Sequence, residues 1–77
     1  RHMHLSDIQP GQSARILSLG ALDAPVRRKL MAMGLLPCSE VRFIRAAPLG
    51  DPLQITAGGI TLSVQKALAA QIEVESL

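Results

Sequence analysis

The chain contains no tryptophan and no tyrosine, a single phenylalanine, Phe43, and a single cysteine, Cys38. Surfaces that bind single-stranded nucleic acid or RNA loops rely on aromatic side chains on which bases stack, so their scarcity argues against nucleic acid as a partner. Grooves for proline-rich peptides are lined by aromatic rings as well, and the same scarcity argues against that ligand. One cysteine excludes a disulfide within the chain and suits a reducing compartment. Cys38 is expected to be a buried or partly buried small apolar residue. Apolar stretches are short, as at Ala67–Ala70, whereas a membrane-spanning helix needs ~20 residues; direct membrane insertion is therefore not expected. The N-terminus has no charged segment leading into an apolar core of a signal peptide, so cytoplasm is the expected location.

Histidine is equally scarce, with His2 and His4 both among the first four residues. A metal-assisted or acid/base enzyme needs several titratable groups converging on a pocket. The serines Ser13, Ser18, Ser39 and Ser63 have no histidine within sequence reach, and no phosphate-binding glycine loop is present. No enzymatic activity and no required cofactor are expected. His2 and His4, two apart, fall on one side of an extended chain and could share a borderline divalent ion such as zinc or iron, with Asp7 as a third donor. Two histidines do not close a site, and this metal affinity is expected to be weak.

What the chain does have is aliphatic. Hydrophobic residues make up 48% of its 77 residues, so Leu, Ile, Val and Ala must form the core. That length suits one domain over residues 1–77. Arg1-His2-Met3 reads as a cloning remnant over residues 1–2, with Met3 the expected natural start. Eight Lys/Arg against six Asp/Glu give a net charge of +2, weak evidence for an anionic partner. Arg27-Arg28-Lys29 is the densest basic cluster. It would join Arg42 and Arg45 in one basic face if the helix packs beside the following strand.

Patterning predicts the elements. Leu5–Ile8 reads as a short capped turn, and Pro10-Gly11 redirects the chain into a strand over Ser13–Leu19 whose alternation is imperfect. Asp23 is placed to cap a helix that carries Pro25 in its first turn. Val26, Leu30 and Met33 then form one apolar stripe over about three turns. Gly34 suits the left-handed position after the helix, Leu35 can fold back toward Leu30, and Pro37 prevents continuation. Strands follow at Val41–Ala46, Leu53–Ala57, Ile60–Val64 and around Ile72–Glu75, with Ile60, Leu62 and Val64 expected on one buried face. Gly58-Gly59 is a hairpin turn, and VQKALAA supplies a short helical turn before the last strand. Five strands with short connections and one inserted helix imply a mainly β, strongly bent antiparallel barrel.

An N-terminal Leu5–Gly11 lead, Arg28-x-Leu30-x-x-Met33-Gly34-Leu35-Leu36-Pro37, Ala47-Pro48-Leu49-Gly50-Asp51-Pro52 and Gly59-Ile60-x-Leu62, in this order, resemble the signatures of the FeoA family. These are small cytoplasmic accessory proteins of bacterial ferrous iron uptake. The resemblance covers nearly the whole chain, with one departure: Cys38 stands where the family pattern commonly continues Pro-Gly. If that glycine supplies an unusual backbone angle, Cys38 must tolerate it or the turn must differ. The resemblance implies an SH3-like barrel and a regulatory role with FeoB, a transporter whose cytoplasmic part carries a GTPase-type domain. It also implies candidate partner contacts at Arg27, Arg28, Leu35, Leu36, Pro37, Leu49, Gly50, Asp51 and Pro52. Family members resemble the C-terminal barrel of iron-dependent repressors too, but this chain has no helix-turn-helix with which to read DNA. Two alternatives stand beside docking: an arginine such as Arg27 or Arg28 supplied to GTP hydrolysis, or self-association through His4 and a metal. A monomer or a weak, metal-linked dimer is expected.

Overall fold

A computed structural model describes residues 2–77, apart from the side chain of His2. Six strands form one antiparallel sheet: β1 (His2–His4), β2 (Ser13–Ser18), β3 (Glu40–Ala46), β4 (Leu53–Ala57), β5 (Ile60–Val64) and β6 (Glu73–Ser76). Two helices, α1 (Ala24–Ala32) and α2 (Lys66–Ala69), and a 3-10 turn at Leu5–Asp7 interrupt them. The spatial order is β1-β6-β2-β3-β4-β5. Five strands were expected from patterning. The sixth is β1, which is too short to show a period and exists because His2, Met3 and His4 pair with Glu75, Val74 and Glu73. Among the described residues β1 and β5 are the two edges of the sheet, so the bent sheet is not closed into a continuous barrel.

The bend has a local cause. A flat six-stranded sheet has five gaps of ~4.8 Å and a single layer of side chains on each face, whereas this molecule measures 29 × 24 × 22 Å. Curling the sheet places one face inside. In β2 the register slips between Ile16 and Ser18 against β6, and in β3 between Phe43 and Arg45 against β4. Each extra residue is a bulge, which increases strand twist and bend. The β2 bulge explains the imperfect alternation of the sequence: Ala14 and Ile16 point inward, and after one extra residue Leu19 does so again.

The interior is aliphatic, with Leu5, Ile16, Leu35, Ile55, Ile72, Val41, Val64 and Val74 its largest fully buried side chains. Phe43 joins them from β3. Leu30 is buried, with Val26 and Met33 packed against the same cluster, so the expected apolar stripe of the helix is what it seats on the sheet. Two expectations need correction here. Ile60 is exposed where it follows the Gly58-Gly59 turn at the tip of the hairpin, although its cross-strand partner Ala57 is buried, whereas Leu62 and Val64 are buried as expected. Asp23 does occupy the N-cap position, but its side chain makes no capping bond; its backbone carbonyl accepts from the Arg27 N–H at 2.9 Å.

Candidate functional site

The first candidate segment is the stop after α1. The Gly34 N–H donates to the Met31 carbonyl at 3.0 Å and the Leu35 N–H to the Leu30 carbonyl at 3.1 Å. These are the paired bonds of a Schellman stop, which needs a left-handed residue at its bend, and Gly34 has φ +104°. The stop turns Leu35 inward, to 0% exposure, and leaves the next residue, Leu36, 43% exposed. Leu35 was expected as a partner contact; it is instead a core residue, because the reversal of the chain aims it under the helix it has just left. Pro37 is exposed beside Leu36.

Cys38 is also corrected: it is exposed rather than buried. Its φ of +72° is the left-handed angle that glycine adopts without strain, so Cys38 keeps the turn geometry rather than replacing it. The turn is anchored on β2, where the Cys38 N–H donates to the Ile16 carbonyl at 2.7 Å and the Ile16 N–H to the Ser39 carbonyl at 2.9 Å. Leu36 and Pro37 are thereby presented from a loop held on the sheet.

The second segment is the six-residue connection from β3 to β4. The Ala47 N–H donates to the Pro52 carbonyl at 3.0 Å and the Gly50 N–H to the Ala47 carbonyl at 2.7 Å. Gly50 adopts φ +88°, and Asp51 and Pro52 are joined by a cis peptide. Asp51 Oδ1 accepts the Lys66 N–H at 2.9 Å, so a carboxylate from this loop holds the first amide of α2. Gly50, Asp51 and Pro52 thus shape the loop, and Leu49 stands at its tip with 97% exposure.

The basic residues divide. Arg27 is half-buried, and its Nη1 donates to the Leu22 carbonyl at 3.1 Å, which holds the segment leading into α1. Arg28 and Lys29 are exposed. On β3, Arg45 donates through Nε to Gln54 Oε1 at 3.0 Å. A groove lies between α1 and the end of β5, lined by Val26, Lys29, Leu30 and Met33 of the helix together with Ser63, Val64 and Leu68.

Of the expected metal ligands, the His2 side chain lies outside the described residues. His4 Nδ1 is 3.9 Å from Asp7 Oδ2, and the same oxygen accepts the His4 backbone N–H at 2.9 Å. Asp7 is therefore used to cap the 3-10 turn, and no group of three or more metal-ligating side chains assembles among the described residues. No described side chain combines with others into a nucleophile, base and orienting group. Sequence reasoning missed the groove beside α1, because Ser63 and Leu68 join Val26 and Lys29 there only through tertiary contact.

Comparison with known proteins places this geometry. Residues 3–76 match the family model described as FeoA domain. The solution structure of FeoA protein from Chlorobium tepidum is 36% identical, with a TM-score of 0.93 over 97% of this chain and 70% of that one. That of iron(II) transport protein A from Clostridium thermocellum is 37% identical, with a TM-score of 0.91 over 97% of this chain and 46% of that one. The crystal structure of Stenotrophomonas maltophilia FeoA complexed with zinc, described as an SH3 domain protein, is 28% identical, with a TM-score of 0.81 over 95% and 89%. The bent sheet is accordingly SH3-like, as the resemblance of the sequence implied.

Proposed function

The chain belongs to the FeoA family, and from that premise we propose that it is a non-enzymatic accessory protein of cytoplasmic ferrous iron uptake that docks on the GTPase-bearing part of FeoB. The observation that carries this reading is Leu49, an almost fully exposed leucine at the tip of a loop braced by its own backbone bonds and by Asp51 on α2. Apolar side chains on pre-ordered backbone lose little entropy when they are buried by a partner. Leu36 and Pro37 form a second exposed apolar point on anchored backbone, and Arg28 and Lys29 on α1 add exposed positive charge.

Binding of the chain to the purified cytoplasmic part of FeoB from the same organism, measured by calorimetry, tests the proposal. Leu49→Asp and Leu36→Asp each weaken binding by tenfold or more, about 1.4 kcal/mol, with the fold unchanged by circular dichroism. Full affinity in both variants would remove these two points from the docking surface. Among the two adjacent arginines the structure favours Arg28 for any contribution to GTP hydrolysis, since Arg27 is engaged with the Leu22 carbonyl. GTP turnover by FeoB that responds equally to the native chain and to Arg28→Ala would dismiss that contribution.

A further inference from the structure

The β3 bulge has a second effect, on the outer face of the sheet. Strict alternation would set Arg42 and Arg45 on opposite faces, since an odd number of residues separates their positions. The extra residue between Phe43 and Arg45 cancels that offset: Arg42 pairs with Thr56 and Arg45 with Gln54, on the face opposite the buried Phe43 and Ile55. Both arginines are exposed. Their rows continue across β5 at Thr61 and Ser63, so β4 and β5 present only uncharged side chains beside them. Acidic groups are engaged elsewhere: Glu75 pairs with Arg15, Asp51 accepts the Lys66 N–H, and Glu40, two residues before Arg42, stands opposite Arg15. Among the described residues neither Arg42 nor Arg45 forms an ion pair.

Arg45 also borders a cleft of about 430 Å³, together with Ala46, Ala47, Pro48 and Gln54. Its Nε donates to Gln54 Oε1 at 3.0 Å, which holds the guanidinium plane and leaves its two Nη groups as an open fork. Such a fork matches the two oxygens of a carboxylate. Phosphate sites commonly add a nest of backbone N–H groups, and this cleft lacks one: the Ala47 N–H is taken by the Pro52 carbonyl at 3.0 Å, and Pro48 has none. We propose that Arg42 and Arg45 bind an extended, acidic protein segment with carboxylates at alternate positions, one in the Arg45 fork at the cleft and the next at Arg42. Two positions along an extended chain advance about 6.7 Å. That is also the separation of Gln54 and Thr56 on β4, and hence of the two arginine rows. The assignment rests on charge and spacing in this chain and not on the identity of the transporter, so its failure would leave the Leu36 and Leu49 contacts standing.

The test uses the whole 15N-labelled chain and an acetylated, amidated pentapeptide of threonine with glutamate at its second and fourth positions, at low ionic strength where exposed charges are least screened. Shifts are expected at the amides of Arg42, Arg45, Ala46 and Ala47 and at the Arg45 Nε–H. The same peptide with glutamine for glutamate does not bind. A peptide of equal charge with its glutamates adjacent, which an extended chain aims to opposite sides, binds about threefold less tightly, the scale of one exposed ion pair. Arg42→Gln and Arg45→Gln each weaken binding by a similar factor, and Arg45→Lys, which keeps the charge but loses the fork, restores only part of it. Absence of shifts at millimolar peptide, equal binding of the two glutamate peptides, or shifts that survive both glutamine variants of the protein would overturn the assignment. Inorganic phosphate or phosphatidylserine vesicles that bind at Arg42 and Arg45 more tightly than the peptide would also overturn it, by giving the face to a free phosphate or to a membrane.

Discussion

At Leu35 and Leu36 the same side chain on consecutive residues has opposite fates, because the left-handed Gly34 turns one beneath the helix and the other toward solvent. Leu35→Ala is expected to lower unfolding free energy by about 2–5 kcal/mol, the range for emptying a filled core site, whereas Leu36→Ala should change it by less than about 0.5 kcal/mol. Urea denaturation of the two variants reads the difference directly. Cys38 offers the opposite case. Its positive φ costs a non-glycine residue roughly 1–2 kcal/mol, and its exposed side chain contributes little packing in return. Cys38→Gly should therefore raise stability by about 1 kcal/mol, seen as a higher urea midpoint at unchanged slope; a lower midpoint would show that the thiol makes a contact worth more than the strain. The resemblance pattern already marked position 38 as a glycine site, so the strained angle was legible in sequence, but the exposure of the thiol was not: burial depends on which element lies across from a turn.

Among the elements, α1 is defined at both ends by local chemistry, and its stop was readable from Gly34 and Pro37 alone. Its start was read less well, since Asp23 leaves the cap unused and Arg27 instead reaches back to the Leu22 carbonyl. The four-residue α2 is too short to be stable on its own. It is held from outside by Asp51, fifteen residues earlier in the chain. Asp51→Ala should cost about 1 kcal/mol, as for the loss of an N-terminal helix cap, with faster amide exchange at Lys66 as its local signature. Because the same carboxylate braces the Leu49 loop, that variant should also broaden the NMR signals of Leu49 and Gly50; unaltered signals would separate the loop from α2. Nothing near Lys66 in sequence reveals this cap, because the capping side chain arrives from the connection between two other strands.

For the molecule as a whole, stability rests on the aliphatic interior rather than on charge. The ion pair of the sheet, Arg15 Nη1 to Glu75 Oε1 at 3.0 Å, joins side chains 45% and 34% exposed. Such a pair contributes less than ~1 kcal/mol and is screened by salt. Glu75→Gln is expected to shift the thermal midpoint by only a few degrees, and to lose even that shift in molar sodium chloride. Native-state hydrogen exchange should follow position in the sheet, slowest in β2, β3 and β4 and fastest in the three-residue edge β1. The sequence by itself determined what near neighbours decide: the period-two strands, the glycine hairpin, the amphipathic helix with its stop, and the family signature carried by their order. Only the tertiary structure decided what distant partners supply. β1 is a strand because β6 lies beside it, Arg15 meets Glu75 across 60 positions, and the groove exists because α1 settles beside the end of β5. Periodicity records which face of an element is apolar, and it holds no record of which other element that face will meet.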